Sequence, residues 1–241
     1  MPVVLVHGVP DTHRVWEPVR DHLERSDIIA LSLPGFDNTR PNGFSSSKEA
    51  YVDWIIAELA KLDGPADLVG HDWGCILTAR VASLRPELVR SWAGISGPVD
   101  VEYEWHDYAK IWQTYRKGEQ WMAELDIDAF ARDLVAAGMP ADEAAKAMPF
   151  IDAEMKASIL ALYRSAVHLG SDWEPALSGV TSPSLVIWGL DDPFLPHRFA
   201  DLLGQKTRAR AVVKLRSSHF VPLEQPSEVA RELEAHWATV Q

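Results

Sequence analysis

The stretch at 70–74 reads Gly-His-Asp-Trp-Gly, and it joins a short apolar run at 67–69 to a helical pattern. A sharp bend between a strand and a helix requires small residues two positions before and two positions after its apex. Gly70 and Gly74 meet this requirement and put Asp72 at the apex. An aspartate between glycines also occurs in plain turns, so its position between strand and helix is what favours a reactive role for Asp72.

Five other short runs share the character of the run at 67–69, because they are apolar on both faces and closed by a turn residue. They are Val3–Val6, 28–33, 91–95, 185–188 and Ala211–Leu215. Such runs are typical of strands buried in a parallel sheet. Between the runs lie amphipathic helical patterns at 48–62, 76–85 and 226–240. The alternation predicts an α/β fold with a mostly parallel sheet of about six strands, flanked by helices.

The alternation stops between residues 99 and 172, where no run resembles a strand. This segment carries helical patterns at 108–116, 127–137, 142–148 and 153–167. Ordinary crossover helices are the simpler interpretation, but the segment is too long for one crossover. The sequence therefore predicts a helical cap at 99–172, inserted between two parts of an α/β core at 1–98 and 173–241.

Three further segments with reactive residue types follow predicted strands. His-Gly-Val-Pro at 7–10 follows the first strand, Gly-Leu-Asp-Asp-Pro at 189–193 follows the fifth, and Ser-His-Phe at 218–220 follows the last. Each segment considered alone could be a plain turn or carry a structural histidine. Together with Asp72 they give the order nucleophile, acid, histidine at the carboxyl ends of strands, where open α/β sheets carry their active sites.

With these segments the chain resembles the α/β-hydrolase superfamily, specifically its aspartate-nucleophile branch of epoxide hydrolases and haloalkane dehalogenases. The resemblance spans nearly the whole chain, and Gly-His-Asp-Trp-Gly is its specific element. It implies an α/β-hydrolase fold, with Asp72 as the nucleophile and His219 as the base. The loop at 188–196 resembles the family's acid loop, which implies that Asp192 rather than Asp191 is the acid.

The segment at 7–10 resembles the family's oxyanion turn, which implies that the backbone N–H groups of Val9 and Trp73 form the oxyanion hole. Epoxide hydrolases use two cap tyrosines, and the segments around Tyr108 and Tyr163 resemble those that carry them. Aromatic packing within the cap is the alternative role for both tyrosines. Family members usually have extra strands before the His-Gly strand, so the resemblance implies a sheet that lacks an edge hairpin here.

The identity of the nucleophile indicates the reaction. An aspartate has a reference pKa of about 3.9, so Asp72 is expected to be ionised at neutral pH without help from a base. Attack on a strained epoxide carbon gives a stable ester in one displacement, whereas attack on a carbonyl gives a labile anhydride. Tyr108 and Tyr163 are then expected to protonate the alkoxide. Water activated by His219, which Asp192 orients, would hydrolyse the ester and release a vicinal diol.

Two other functions stay open on the sequence alone. A haloalkane dehalogenase would use the same Asp72, with Trp73 as one halide donor and Trp112 or Trp105 as another, although Val9 stands where such enzymes often have asparagine. A catalytically silent ligand-binding protein of the same fold is the other alternative, because fold does not determine function. The predicted substrate-binding side chains are Trp73, Trp105, Trp112 and Phe220.

Composition narrows the class of partner. A formal net charge of −12 disfavours nucleic acid and anionic membranes as partners. The resemblance implies a small apolar epoxide-type substrate and water instead. The chain shows no signal-peptide pattern and no apolar run of membrane-spanning length, and its single cysteine, Cys75, fits a cytoplasmic location. No His/Cys cluster has metal-ligand spacing, so no metal and no other cofactor is expected. The oligomeric state stays open, with a homodimer as one possibility.

Overall fold

Six strands form one sheet in the computed structural model, which describes residues 1–240. They are β1 Val3–Val6, β2 Ile28–Leu31, β3 Ala66–His71, β4 Val89–Ile95, β5 Ser184–Gly189 and β6 Ala211–Leu215. Their order across the sheet is β2-β1-β3-β4-β5-β6. Every neighbouring pair is parallel. The predicted α/β fold is confirmed, and each strand lies where an apolar run predicts it.

Helices cover the sheet and follow most of the strands. The α-helices are α1 Glu17–Arg20, α2 Lys48–Leu59, α3 Trp73–Leu84, α4 Asp107–Gln113, α5 Lys117–Ala123, α6 Ile127–Ala136, α7 Ala141–Ala147, α8 Ala153–Ser165, α9 Leu169–Trp173, α10 Arg198–Thr207, α11 Val221–Glu224 and α12 Pro226–Ala238. Short 3-10 helices lie at His13–Trp16, Pro86–Leu88, Met148–Phe150 and Glu174–Gly179.

Burial across the sheet follows strand position. All residues of β1, β3 and β5 are buried, because helices cover both faces of the inner strands. The outer strands β2 and β6 are partly exposed. Within residues 1–240 no strand lies beyond β2. This agrees with the expectation, drawn from the family resemblance, of a sheet that lacks an edge hairpin.

The register of the parallel strands brings distant segments of the chain to one edge of the sheet. Val6 at the end of β1 pairs with Gly70 near the end of β3. Gly189 at the end of β5 likewise pairs with Leu215 at the end of β6. Since neighbouring parallel strands end at the same edge, the loops that follow β1, β3, β5 and β6 all emerge there.

A helical insertion, defined here as residues 96–183, separates β4 from β5 and contains α4 to α9. Helix α8 packs against α4 and α5 of the insertion and against α2 of the core. The buried ammonium of Lys48 on α2 reaches across this boundary. It donates a hydrogen bond of 2.9 Å to the carbonyl oxygen of Ser165 and lies 3.1 Å from the carboxylate of Asp172. These contacts hold the insertion over one end of the sheet.

Candidate active site

Asp72 lies at a sharp bend between β3 and α3. Its φ of 52° is a positive value that strains a residue with a side chain. The bend depends on the flanking glycines: a Cβ at Gly70 would lie 2.2 Å from the carbonyl oxygen of Gly74. A Cβ at Gly74 would lie 2.1 Å from the carbonyl oxygen of Val6. The stretch at 70–74 therefore forms the tight bend that its sequence predicts, with Asp72 at the apex.

His219 lies between two carboxylates. Its Nδ1 donates a hydrogen bond of 2.8 Å to Oδ2 of Asp192, which assigns the proton to Nδ1 in the neutral ring. Its Nε2 lies 3.6 Å from Oδ2 of Asp72, which is too long for a hydrogen bond. When the ring is neutral, the lone pair of Nε2 faces the carboxylate of Asp72 without being bound to it. A carboxylate that faces an imidazole oriented by a second carboxylate is an arrangement capable of covalent catalysis.

The loop after β5 fixes the orientation of Asp192. Its Oδ1 accepts hydrogen bonds of 2.9 Å from the backbone N–H groups of Phe194 and Leu195. The neighbouring Asp191 has an exposed side chain. The geometry therefore supports Asp192, and not Asp191, as the partner of His219.

Two contacts hold the loop that carries His219. The backbone N–H of His219 donates to the carbonyl oxygen of Ala137, just after α6, at 3.2 Å. The carbonyl oxygen of His219 lies 3.0 Å from Nε2 of His71. Burial lowers the pKa of His71 to about 3, so this ring is neutral and its Nε2–H is the donor. His71 thus helps to position the loop that carries His219.

The backbone N–H groups predicted to form the oxyanion hole lie at the nucleophile. The N–H of Val9 donates a hydrogen bond of 2.8 Å to Oδ1 of Asp72, and the N–H of Trp73 also interacts with this carboxylate. Such a close approach requires Gly8, because a Cβ there would lie 2.4 Å from the Cβ of Asp72. An oxyanion that develops on the Asp72 carboxyl group would therefore find donors already in place.

Charges in the site act on each other strongly. Burial raises the pKa of Asp72 above its ordinary value, while His219 and the N–H groups of Val9 and Trp73 oppose that shift. Burial alone would lower the pKa of His219, yet the carboxylates of Asp192 and Asp72 raise it to about 9. Burial therefore works against the ionised carboxylate that the sequence predicts for Asp72, whereas His219 and the two backbone donors stabilise it.

An apolar cavity lies over Asp72 and His219. The core contributes Val9, Pro10, Ile76 and the loop residues after β5 and β6. The helical insertion contributes a set of aromatic rings and a few polar groups. The four predicted substrate-binding side chains, Trp73, Trp105, Trp112 and Phe220, all line this cavity. Trp73 and Trp105 stack with ring centroids 5.7 Å apart.

The two predicted cap tyrosines occupy different environments. Tyr163 is fully buried against Trp73, and burial together with the charge of Asp72 raises the pKa of its hydroxyl well above the ordinary value. Tyr108 instead donates its hydroxyl to Oδ2 of Asp133 at 2.5 Å, and burial and Asp133 raise its pKa to about 12. The hydroxyl of Tyr108 is therefore bound by Asp133, whereas the hydroxyl of Tyr163 is close enough to Asp72 to be affected by its charge.

Three polar residues near the site were not predicted from the sequence. His106 caps α4, since its Nδ1 accepts the N–H of Ala109 at 3.2 Å, and burial lowers its pKa to about 4. Its ring is therefore neutral, with the proton on Nε2, and it lines the cavity. Tyr103 lines the same cavity with a buried hydroxyl that has no hydrogen-bond partner within residues 1–240. Burial and the nearby Asp72 raise the pKa of Asp11 to about 7.

The cavity offers no metal site. In the part of the chain that the structure describes, no group of three or more His, Cys, Asp or Glu side chains could hold a metal ion. The same residues include no helix that is both long enough and apolar enough to span a membrane.

Two relatives of known name resemble the chain over most of its length. The (E)-2-((N-methylformamido)methylene)succinate hydrolase of Acinetobacter baylyi is 22% identical, and the match covers 97% of this chain and 89% of that protein. Epoxide hydrolase 2 of Caenorhabditis elegans is 24% identical, and the match covers 94% of this chain and 71% of that protein. These names describe different reactions, so identities of this size leave the substrate open.

Similarity to known proteins identifies the fold and the family of the chain more clearly than its substrate. The haloalkane dehalogenase DbeA from Bradyrhizobium elkani superposes with a TM-score of 0.78 at 23% identity, covering 98% of this chain and 91% of that protein. The model of the alpha/beta hydrolase family matches residues 3–232. This match agrees with the parallel sheet, with the bend at Asp72 and with the order Asp72, Asp192, His219 along the chain. The chain therefore belongs to the alpha/beta hydrolase family.

Proposed function

We propose that the protein hydrolyses epoxides to vicinal diols through a covalent ester on Asp72. The observation that carries this function is the imidazole of His219, held by Asp192 at 2.8 Å and facing the Asp72 carboxylate at 3.6 Å. A serine nucleophile would need His219 to remove its proton before attack. A carboxylate needs no such step, so the base is left to act on water in the second half of the reaction.

The first half is an attack of an Asp72 oxygen on an epoxide carbon. The C–O bond of the ring breaks, and its electron pair stays on the ring oxygen as an alkoxide. Tyr163 supplies the proton, because its raised pKa keeps the hydroxyl protonated until a strongly basic oxygen forms beside it. The neutral Nε2–H of His106 is the other donor available in the cavity, since Tyr108 is engaged by Asp133.

The second half is hydrolysis of the ester. Formation of the ester removes the charge of Asp72, one of the two carboxylates that raise the pKa of His219. The imidazolium can then release its extra proton to solvent, from which it is recovered at the end of the cycle. The neutral imidazole takes a proton from water, and the hydroxide attacks the carbonyl carbon of the Asp72 ester. The N–H groups of Val9 and Trp73 stabilise the oxyanion. On collapse, the departing diol oxygen takes the proton from His219, and the second proton of the water returns through solvent to Tyr163. The net change is the addition of one water molecule to the epoxide.

The helical insertion fits the role of a cap, as predicted for residues 99–172. It contributes Trp105, His106, Tyr108, Trp112 and Tyr163 to the cavity wall. Apolar walls exclude water and favour a small apolar substrate. The relative named epoxide hydrolase 2 supports this choice of substrate class.

The deciding experiment is a parallel panel of epoxides and haloalkanes with the purified protein. Diol formation that is slowed about a hundredfold by Tyr163→Phe, and less than about threefold by Tyr108→Phe, is the expected result. The comparison tests the proton donor directly, because each variant removes one hydroxyl and keeps one ring. If neither substitution changes diol formation, neither tyrosine supplies the proton. If no epoxide is turned over, the proposed reaction is excluded.

Dehalogenation of haloalkanes is the second candidate, and one observation favours it. The indole N–H of Trp112 is buried at the cavity and has no hydrogen-bond partner among the described residues. With Trp73 it could bind a departing halide, in place of the proton donor that an epoxide requires. Halide release in the same panel, without diol formation, would make this the correct assignment.

A further inference from the structure

The mouth of the catalytic cavity carries a carboxylate that the reaction itself does not use. Asp133 lies on α6 with an exposed side chain, and it lines the same cavity as Asp72. Its Oδ2 accepts the hydroxyl hydrogen bond from Tyr108 at 2.5 Å, which fixes the direction of the carboxylate. Within residues 1–240 it has no cationic side chain within salt-bridge distance. Its negative charge is therefore not neutralised by the protein.

The rest of the cavity provides no positive charge for an anionic substrate. No lysine or arginine lines it. His106 is neutral, because burial lowers its pKa to about 4. His219 carries a positive charge in the free enzyme, but it is shared between the carboxylates of Asp72 and Asp192. A substrate carboxylate would thus meet Asp133 at the mouth and find no free cation within.

We propose that Asp133 selects substrates by charge, so that the cavity accepts epoxides with a neutral or protonated-amine substituent and rejects those with a carboxylate. This inference rests on the proposed epoxide hydrolysis and names its substrate class. Tyr108 acts as a positioning residue that holds the Asp133 carboxylate at the mouth. A substrate whose reacting carbon is at Asp72 would direct its far end toward Asp133.

The size of the effect follows from the exposure of Asp133. Unit charges several ångströms apart at a protein surface interact weakly through an effective dielectric far above that of the interior, and salt screens them further. We therefore expect about a tenfold effect on kcat/KM for each charged substrate, with opposite signs for the amine and the carboxylate. The ratio of the two kcat/KM values should then change about a hundredfold when the charge of Asp133 is removed.

The test uses three styrene oxides that differ only at the para position, which carries methyl, aminomethyl or carboxylate. The value of kcat/KM is measured at neutral pH for the unaltered enzyme, for Asp133→Asn and for Asp128→Asn. Asp128 is a matched control, because it is an exposed aspartate on the same helix that does not line the cavity. The readout is kcat/KM for the amine substrate divided by kcat/KM for the carboxylate substrate. Any general loss of activity cancels in this ratio.

The expected result is a preference for the amine that Asp133→Asn reduces about a hundredfold and Asp128→Asn leaves in place. Added salt should reduce the preference of the unaltered enzyme and have little effect on that of Asp133→Asn. Turnover of the methyl compound with an unchanged ratio in Asp133→Asn would overturn the charge selection alone. If the unaltered enzyme turns over neither the methyl compound nor any other epoxide of the panel, epoxide hydrolysis is refuted, and with it this inference.

Discussion

Replacement of His219 by alanine should stop the reaction halfway and leave the substrate attached to Asp72. His219 is the described side chain that faces the Asp72 carboxylate, at 3.6 Å, with its other nitrogen bound to Asp192. Attack on the epoxide needs only the carboxylate, so ester formation should continue after the base is lost.

The expected loss in the rate of ester hydrolysis follows from these contacts. A positioned general base contributes roughly 10²–10⁴ to a rate, which is about 3–5 kcal/mol in the barrier for ester hydrolysis. The effect on ester formation is smaller and has another cause. A cationic His219 opposes the burial that raises the pKa of Asp72. Without it a smaller fraction of Asp72 is ionised at neutral pH, and raising the pH should restore the rate of ester formation.

The assay is intact-protein mass spectrometry after mixing with an epoxide that the unaltered enzyme converts. The variant should gain the mass of one epoxide molecule, and peptide mapping should place the added mass on Asp72. His219→Gln serves as a second variant of similar side-chain volume, in case alanine weakens the fold. His22→Ala is the matched control, because His22 is exposed and lies outside the cavity. Continued turnover by both His219 variants, or added mass on another residue, would refute the two-step mechanism.

Two further predictions concern the acid and the bend. Asp192→Asn should lower the pKa of His219 from about 9, because a carboxylate that favours the imidazolium is lost. The rise of ester hydrolysis with pH, followed in single turnovers, should move to lower pH with a reduced maximum, and an unchanged midpoint would contradict this assignment. Gly74→Ala should lower the free energy of unfolding by about 3 kcal/mol or more, since its Cβ would lie 2.1 Å from the carbonyl oxygen of Val6. Urea unfolding measures the change, and a loss below about 1 kcal/mol would show that the bend can relax.

The sheet could be predicted from the sequence because each strand is a short apolar run closed by a turn residue. The predicted run Val3–Val6 matches β1 in both bounds, and Ala211–Leu215 matches β6. Helix α10 was not predicted, although its buried face includes Phe199 and Leu203. Its apolar and polar residues lie on opposite faces, so the amphipathic pattern is a signal from which this helix could have been predicted. Packing against β5 and β6 supplies the stability that local sequence does not.

The candidate site was predictable where it depends on local sequence. The glycines at 70 and 74 and the order of Asp72, Asp192 and His219 are sequence features that the fold preserves. The hydrogen bond between Tyr108 and Asp133 is different, because it joins side chains 25 residues apart on separate helices. The raised pKa of Asp72 is also a tertiary effect, since it comes from burial that no single segment produces.

The separation of β4 from β5 by one continuous helical insertion has an evolutionary consequence. The groups proposed to form and break bonds with the carboxyl of Asp72 sit on loops of the sheet, whereas Asp133 and most of the aromatic wall belong to residues 96–183. Substitutions within residues 96–183 could change which substrates the cavity accepts while Asp72, Asp192 and His219 stay in position. Laboratory evolution for a new substrate could therefore concentrate its libraries there and leave the bend at Asp72 untouched.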